Sequence, residues 1–273
     1  MIRLLQIEWF KLRHYRPFWV LIGLYAFLAT ALCSCLMFFM NFLKNEGADF
    51  NGFDPTMLPL YDFPDIWLNI AFLASITKVL LAFIVVMSIF NEINSRIIRQ
   101  NVIDGMSKRE WLISKLFFIA AIAASASALL FINGLILGLI YGHPDGLAAI
   151  FDKSYFILIY FLDVFTYLTF AMMLTLLIRK GGIVIVGLLM YTMMLEPFAS
   201  VFLYTYPHLA DFWRFLPDFF PVQSSRNMML FPFKRYMFSE IQDVVPFRTL
   251  SIVFAWVVFN ASMSYFLLTK RDI

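Results

Sequence analysis

Charge is missing from this chain over distances that only a membrane tolerates. Residues 17–43, 116–144 and 249–269 contain no Asp, Glu, Lys or Arg, and residues 66–91, 154–178 and 181–210 contain one each, Lys78, Asp163 and Glu196. A helix needs about 20 mostly apolar residues to cross a hydrocarbon core of about 30 Å, so each run is long enough to span. Backbone groups in lipid must bond within their own segment or close a barrel, and these runs are too long for a barrel's roughly ten-residue alternating strands. Apolar residues make up 62% of the 273-residue chain and charged residues 14%, against about 45–50% and about 25% in soluble domains. That balance excludes a soluble fold, a disordered chain and a nucleic-acid-binding domain. The expectation is an all-α integral membrane protein, one transmembrane domain over residues 1–273, with six transmembrane helices at about 17–43, 66–91, 111–141, 154–178, 182–205 and 247–269.

Orientation follows from the distribution of Lys and Arg between loops. With the N-terminus inside, the cytoplasmic segments hold Arg3, Lys11, Arg13 and Arg16, then Arg96, Arg99, Lys108, Arg109 and Lys115, then Arg179, Lys180, Lys270 and Arg271. The two short outer loops offer only Lys44 and Lys153, and the first is acidic through Glu46, Asp49, Asp54, Asp62 and Asp65. Arg214, Arg226, Lys234, Arg235 and Arg248 in the last outer segment oppose the rule locally. The overall bias places both termini in the cytoplasm. Leu32-Cys33-Ser34-Cys35 has a faint likeness to a lipoprotein cleavage box, but the run is too long and its leader too extended for a signal peptide.

Residues 1–16 read as an interfacial helix, because Ile2, Leu5, Trp9 and Leu12 recur at helical spacing while Arg3, Lys11 and His14 fall elsewhere on the wheel. The loop after the second span carries an apolar stripe of Ile93, Ile97, Ile98, Val102 and Met106. Glu92 stands four residues before Arg96, the favourable order for an ion pair on one helix face. An amphipathic helix over about 92–104 is therefore expected, stopped by Asp104-Gly105. Ser107 and Glu110 then have the spacing of a capping box that starts the third span. Residues 206–248 combine Phe212, Trp213, Phe215, Phe219, Phe220, Phe231, Phe233, Tyr236 and Phe238 with five prolines, the composition of short outer-leaflet helices with aromatics at headgroup depth.

Lys78 lies mid-span, where a charge costs at least about 2.5–3.5 kcal/mol unless paired or hydrated. It should face the bundle interior, with Asp163 and with Glu196, just before the helix-kinking Pro197, as candidate partners. The trio reads either as a polar patch on a transport path or as an intramembrane ion pair that fixes helix register. Catalytic and metal motifs are missing. The glycines form no GxxxxGK[ST] phosphate loop, HExxH and GxSxG do not occur, His14, His143 and His208 are scattered, and Cys33 and Cys35 point to nearly opposite helix faces.

The layout of a basic interfacial helix, six spans, a cytoplasmic helix between spans two and three and a long outer segment before span six resembles the membrane subunit of a type-2 ATP-binding cassette (ABC) exporter. Glu92 with Arg96 and Arg99, then Gly105-Met106-Ser107-Lys108-Arg109 before Lys115, is similar to that family's acidic start and small-Ser-Arg-to-Lys run, with Met106 in place of the usual proline and Lys108 added. The ending Leu268-Thr269-Lys270-Arg271-Asp272-Ile273 is similar to its basic-acidic tail. The resemblance implies a non-enzymatic permease in a bacterial-type inner membrane. Two such chains, identical or related, would pair, and each would dock a separate ABC ATPase subunit. No cofactor would sit in this chain, ATP and Mg being held by the partner. Glu92, Arg96, Arg99 and Asp104 would couple to that partner, with Lys78, Asp163 and Glu196 on the path. Two other classes stay open. One is an ion-gradient-driven secondary transporter using Asp163 and Glu196 as proton carriers, and the other is a non-transporting membrane scaffold.

Overall fold

The computed structural model describes residues 15–45, 60–142, 146–205, 215–229 and 244–270, together with Glu8, Phe10, Lys11 and Arg13. The stripe residues Ile2, Leu5, Trp9 and Leu12, with Arg3 and His14, lie outside the described residues. So do Glu46, Asp49 and Asp54 of the first acidic loop, His143, residues 206–214 and 230–243, and residues 271–273 of the tail. Glu8, Phe10, Lys11 and Arg13 are helical.

The described chain is all-helical, with no strand. Five helices are long and apolar enough to cross a membrane, or six when a bent pair counts as one span, as a multi-pass membrane protein requires. Helix α1 is Arg16–Asn45, and the bent pair is α2, Ile66–Ser75, with α3, Lys78–Asn94. Then come α4, Ile97–Ile103, and the longest helix, α5, Lys108–Tyr141. A short α6, Leu147–Phe151, precedes α7, Phe156–Ile178. Next, α8, Gly181–Met190, runs through a π turn, Tyr191–Leu195, into α9, Glu196–Thr205. Of residues 206–248, a 3₁₀ turn at Leu216–Phe219 and a short α10, Pro221–Arg226, are described before α11, Phe247–Lys270.

Helix α7 is the axis of the bundle. It packs against α2, α3, α5, α8, α10 and α11, and 67% of its most apolar window is buried, against 22% for α1 and for the α8–α9 span. Large apolar side chains on the other helices face outward, among them Val20 and Phe27 on α1, Phe198 and Val201 on α9 and Phe254 and Val258 on α11. In water such a surface would aggregate, whereas in hydrocarbon it is the solvated face. Gly134 of α5 lets α2 approach, since a Cβ there would stand 2.6 Å from both Trp67 and Ile70.

Two spans depart from the continuous helices that their composition suggests. The second breaks at Ile76 and Thr77, where the Thr77 hydroxyl donates to the Ala74 carbonyl and the Ser75 hydroxyl to the Phe72 carbonyl. These bonds compete with the regular ladder, and the axis bends by 46°. Lys78 is thereby the first residue of α3 rather than an interior residue of one helix. In the fifth span, Pro197 has no N–H to donate to Met193. A π turn, closed by the Glu196 N–H to the Tyr191 carbonyl, takes the place of a simple kink.

The expected helix over 92–104 is also shorter. Arg96 takes a left-handed backbone, φ 55°, which separates α3 from α4. Glu92 therefore belongs to α3. Only Ile98 of the apolar stripe is fully buried, while Val102 is exposed. Asp104 ends α4, Gly105 follows at φ 96°, and the Ser107–Glu110 capping box forms, Ser107 N–H to Glu110 Oε2 at 2.7 Å and Glu110 N–H to Ser107 Oγ at 3.1 Å. Cys33 is buried and Cys35 exposed, as opposite faces demand.

Candidate functional site

Two buried charge clusters and one basic hollow hold most of the polar chemistry of the described residues. The first cluster joins the N-terminal helical residues to the ends of α3 and α5. Lys115 of α5 is wholly buried, and its ammonium donates to Glu8 Oε2 at 2.6 Å and Glu92 Oε1 at 2.7 Å. Lys11 donates to the same Glu92 oxygen at 3.0 Å and stands 3.7 Å from Glu8. The Trp111 indole N–H donates to Glu92 Oε2 at 2.9 Å, and Lys115 lies 5.6 Å from the Trp111 ring centre and 5.9 Å from that of Phe118. Two cations thus meet two carboxylates from three chain segments. Burial lowers the proton affinity of Lys11, but Glu92 and Glu8 outweigh it and hold its pKa above the ordinary 10.5.

This geometry corrects the expected Glu92–Arg96 pair. The described contacts of Glu92 go to Lys115, Lys11 and Trp111, because Arg96 leaves the helix at its left-handed backbone and stays exposed. Sequence reading passed over Glu8 and counted Lys115 among the charges of the cytoplasmic segments. A lone acid three residues before Lys11 in a basic leader was the one signal available for Glu8.

The second cluster lies inside the bundle. Lys78 donates to Asp163 Oδ1 at 2.5 Å, reaches Ser225 Oγ of α10 at 3.5 Å, and lies 5.2 Å from the Tyr167 ring centre. Asp163 is thus the partner of Lys78 and Glu196 is not. Glu196 Oε1 instead accepts the backbone N–H groups of Val222 and Gln223, at 2.9 and 2.5 Å. Arg226 donates to the Thr192 carbonyl at 3.3 Å, and the Thr192 and Tyr167 hydroxyls are 2.9 Å apart. The three expected residues converge on one short helix, with Lys78, paired to Asp163, reaching Ser225 near its end and Glu196 holding its start. Among the described residues the buried Asp163 Oδ2 has no hydrogen-bond partner, while the Glu196 carboxylate also interacts with the Tyr191 hydroxyl.

The hollow opens at the basic end of the bundle. It has a volume of about 190 Å³ and is lined by Ile93, Arg96, Ile98, Arg99, Leu176, Arg179 and Leu268. Arg179 ends α7 in a left-handed backbone, φ 57°, a conformation that costs a non-glycine residue roughly 1–2 kcal/mol. Asp104 is exposed near by in sequence, at the end of α4. No group of three or more His, Cys, Asp and Glu side chains able to hold a metal occurs among the described residues.

No curated protein matches the chain. A family model described as a protein of unknown function, DUF2705, matches residues 26–273. That match takes in every described helix except the N-terminal helical residues and the first residues of α1, and the chain belongs to the DUF2705 family.

Proposed function

We propose that this chain is the permease subunit of an ABC-type exporter, forming the membrane pathway and coupling to a separate ATPase subunit that holds ATP and Mg. The observation that carries the reading is the knot of Glu8, Lys11, Glu92 and Lys115, which ties the N-terminal helix to both spans flanking α4. A helix held at both roots by buried ion pairs passes a push into the bundle rather than flexing away from it. The face of α4 turned away from Ile98 is free to receive that push, with Ile103 exposed there beside Arg99 and Asp104. In this reading α4 is the coupling helix, residues 1–16 lie on the cytoplasmic interface, both termini are cytoplasmic, and the 3₁₀ turn and α10 cap the outer side. The chain works as a pair, identical or related, and the aromatic outer segment suits amphipathic cargo such as a peptide, lipid or drug.

A second reading is favoured by the buried Lys78–Asp163 pair, the buried Glu196 and the unpartnered Asp163 Oδ2. Intramembrane carboxylates of this kind serve as proton relays in gradient-driven transporters. The test is to tag the chain, solubilise native membranes gently and identify what co-purifies, with Arg99→Glu and Ile103→Asp as companions. An ATPase of domain size that both variants release supports the permease. Recovery of the chain without an ATPase, and transport that collapses with the ion gradient, transfers the assignment to the second reading.

A further inference from the structure

We infer that the hollow ringed by Arg96, Arg99 and Arg179 is a phosphate-binding site, built for the phosphate ester of an anionic lipid headgroup or of a soluble molecule. Three guanidiniums from two distant chain regions line one space of about 190 Å³, with no carboxylate in its lining. One water needs roughly 10–15 Å³ of such space, so the hollow takes a group the size of a phosphate together with its bound waters. Elsewhere among the described residues, the two fully buried ammonium groups are matched by carboxylates, Lys115 by Glu8 and Glu92 and Lys78 by Asp163. Among the described residues no carboxylate stands within ion-pair distance of these three arginines, so an anion entering the hollow would meet their charge unopposed. Arginine also presents the planar fork that grips phosphate oxygens in pairs.

Two further observations give the site a shape. Arg96 and Arg179 are two of the three non-glycine residues at positive φ among the described residues. Such conformations persist where the surroundings over-determine them, and they cluster at ligand clamps. Beside the exposed Arg96 and Arg99 and the half-buried Arg179, the rest of the lining is apolar, with Ile98, Leu176 and Leu268 each nearly fully buried. The lining comes from the ends of α3, α7 and α11 and from α4. A lining part charged and part apolar at the ends of spanning helices matches a phospholipid, phosphate at the arginines and glycerol or acyl carbons against the apolar side chains. Nothing in this inference depends on the permease reading, since a gradient-driven carrier or a scaffold would hold the same site.

The full chain in phosphatidylcholine nanodiscs, with and without phosphatidylglycerol, is released into a native mass spectrometer and retained lipid is measured. In parallel, inorganic phosphate and glycerol 3-phosphate are titrated against the chain in neutral detergent, with thermal stability as the readout. The variants are Arg99→Gln, and Arg96→Asn with Arg179→Asn, asparagine being chosen because it tolerates the left-handed backbone. Arg109→Gln is the control, an exposed cation outside the hollow. Retained phosphatidylglycerol that falls about tenfold with each arginine removed, unchanged in the control, assigns a lipid phosphate. A shift with glycerol 3-phosphate that the same variants abolish, without lipid preference, assigns a soluble phosphate ester. Equal losses in the control, wild-type binding in the variants, or release of an acidic protein partner with no phosphate binding would each overturn the site. Arg99→Gln lies on ordinary helical backbone, so it keeps the test decisive if the double variant fails to fold.

Discussion

Replacing Lys115 by methionine isolates what the knot at the roots of α3 and α5 contributes. The ammonium sits 2.6 and 2.7 Å from two carboxylates, with its side chain fully buried. At an effective dielectric constant of about 20, a pair 2.7 Å apart has a gross attraction of about 6 kcal/mol. Desolvation of the ions offsets most of that in the intact cluster. The variant loses the attraction but keeps Glu8 and Glu92 buried, with Lys11 left to serve both, at 3.7 and 3.0 Å. Leaving a buried charge without its partner costs about 3–5 kcal/mol. With about 2–4 °C lost per kcal/mol in a chain of this size, the expected fall in Tm is roughly 6–20 °C. Lys11→Met, whose side chain is 33% exposed, should cost less than half as much, because water screens it. Adding Glu8→Gln to Lys115→Met should recover part of the loss, since one uncompensated carboxylate is removed. The assay is thermal unfolding of the purified chain in one detergent or nanodisc. A Lys115→Met protein that melts with the wild type, or that gains nothing from Glu8→Gln, would refute the reasoning.

Three other outcomes follow from the same structure. Lys78→Met and Asp163→Asn should each lower the yield of monodisperse protein by size-exclusion chromatography, with the double variant recovering most of it; losses that simply add would mean that the contact contributes nothing. Glu196→Ala leaves the Val222 and Gln223 N–H groups without an acceptor, so their amide hydrogen exchange should speed up at least about tenfold, and unchanged exchange would show that α10 is held by other contacts. Gly134→Val drives a side chain into Trp67 and Ile70 and should cost about 1–3 kcal/mol by thermal unfolding; a wild-type melting point would mean that α2 and α5 are not in close contact.

Much of the helical layout could be read from where charges are missing, because nothing but apolar length decides whether a helix suits lipid. The capping box at Ser107 and the opposed faces of Cys33 and Cys35 were equally legible, being local geometry. The break at Ile76 was within reach, since Ser75 and Thr77 sit as paired hydroxyls in an apolar run, the side chains that bond back to the helix carbonyls. Partner choice was not. Lys78 had two carboxylates to choose between, and only tertiary placement put Asp163 beside it and turned Glu196 to the backbone of α10. Lys115 and Glu8 looked like surface charges because nothing within twenty residues of either shows that they meet. The hollow needed the same information, as Arg96 and Arg179 are adjacent only once α3 and α7 are packed.

The π turn in the fifth span acts as a phase correction. Val184, Leu188, Thr192, Glu196 and Ser200 are all buried, a run of strict four-residue steps. At 3.6 residues per turn each such step overshoots by about 40°, so an unbroken α-helix would carry the stripe almost to its opposite side over that distance. The wide turn at Tyr191–Leu195 absorbs the surplus just ahead of Glu196. The C-terminal half of this span is thus set in angle by a single residue of backbone count. A one-residue deletion inside the turn can be absorbed by closing it to an ordinary α turn, whereas one in the regular helix of α8 would swing everything beyond it by about 100°, handing Glu196 to lipid while leaving every side chain of the cluster chemically intact.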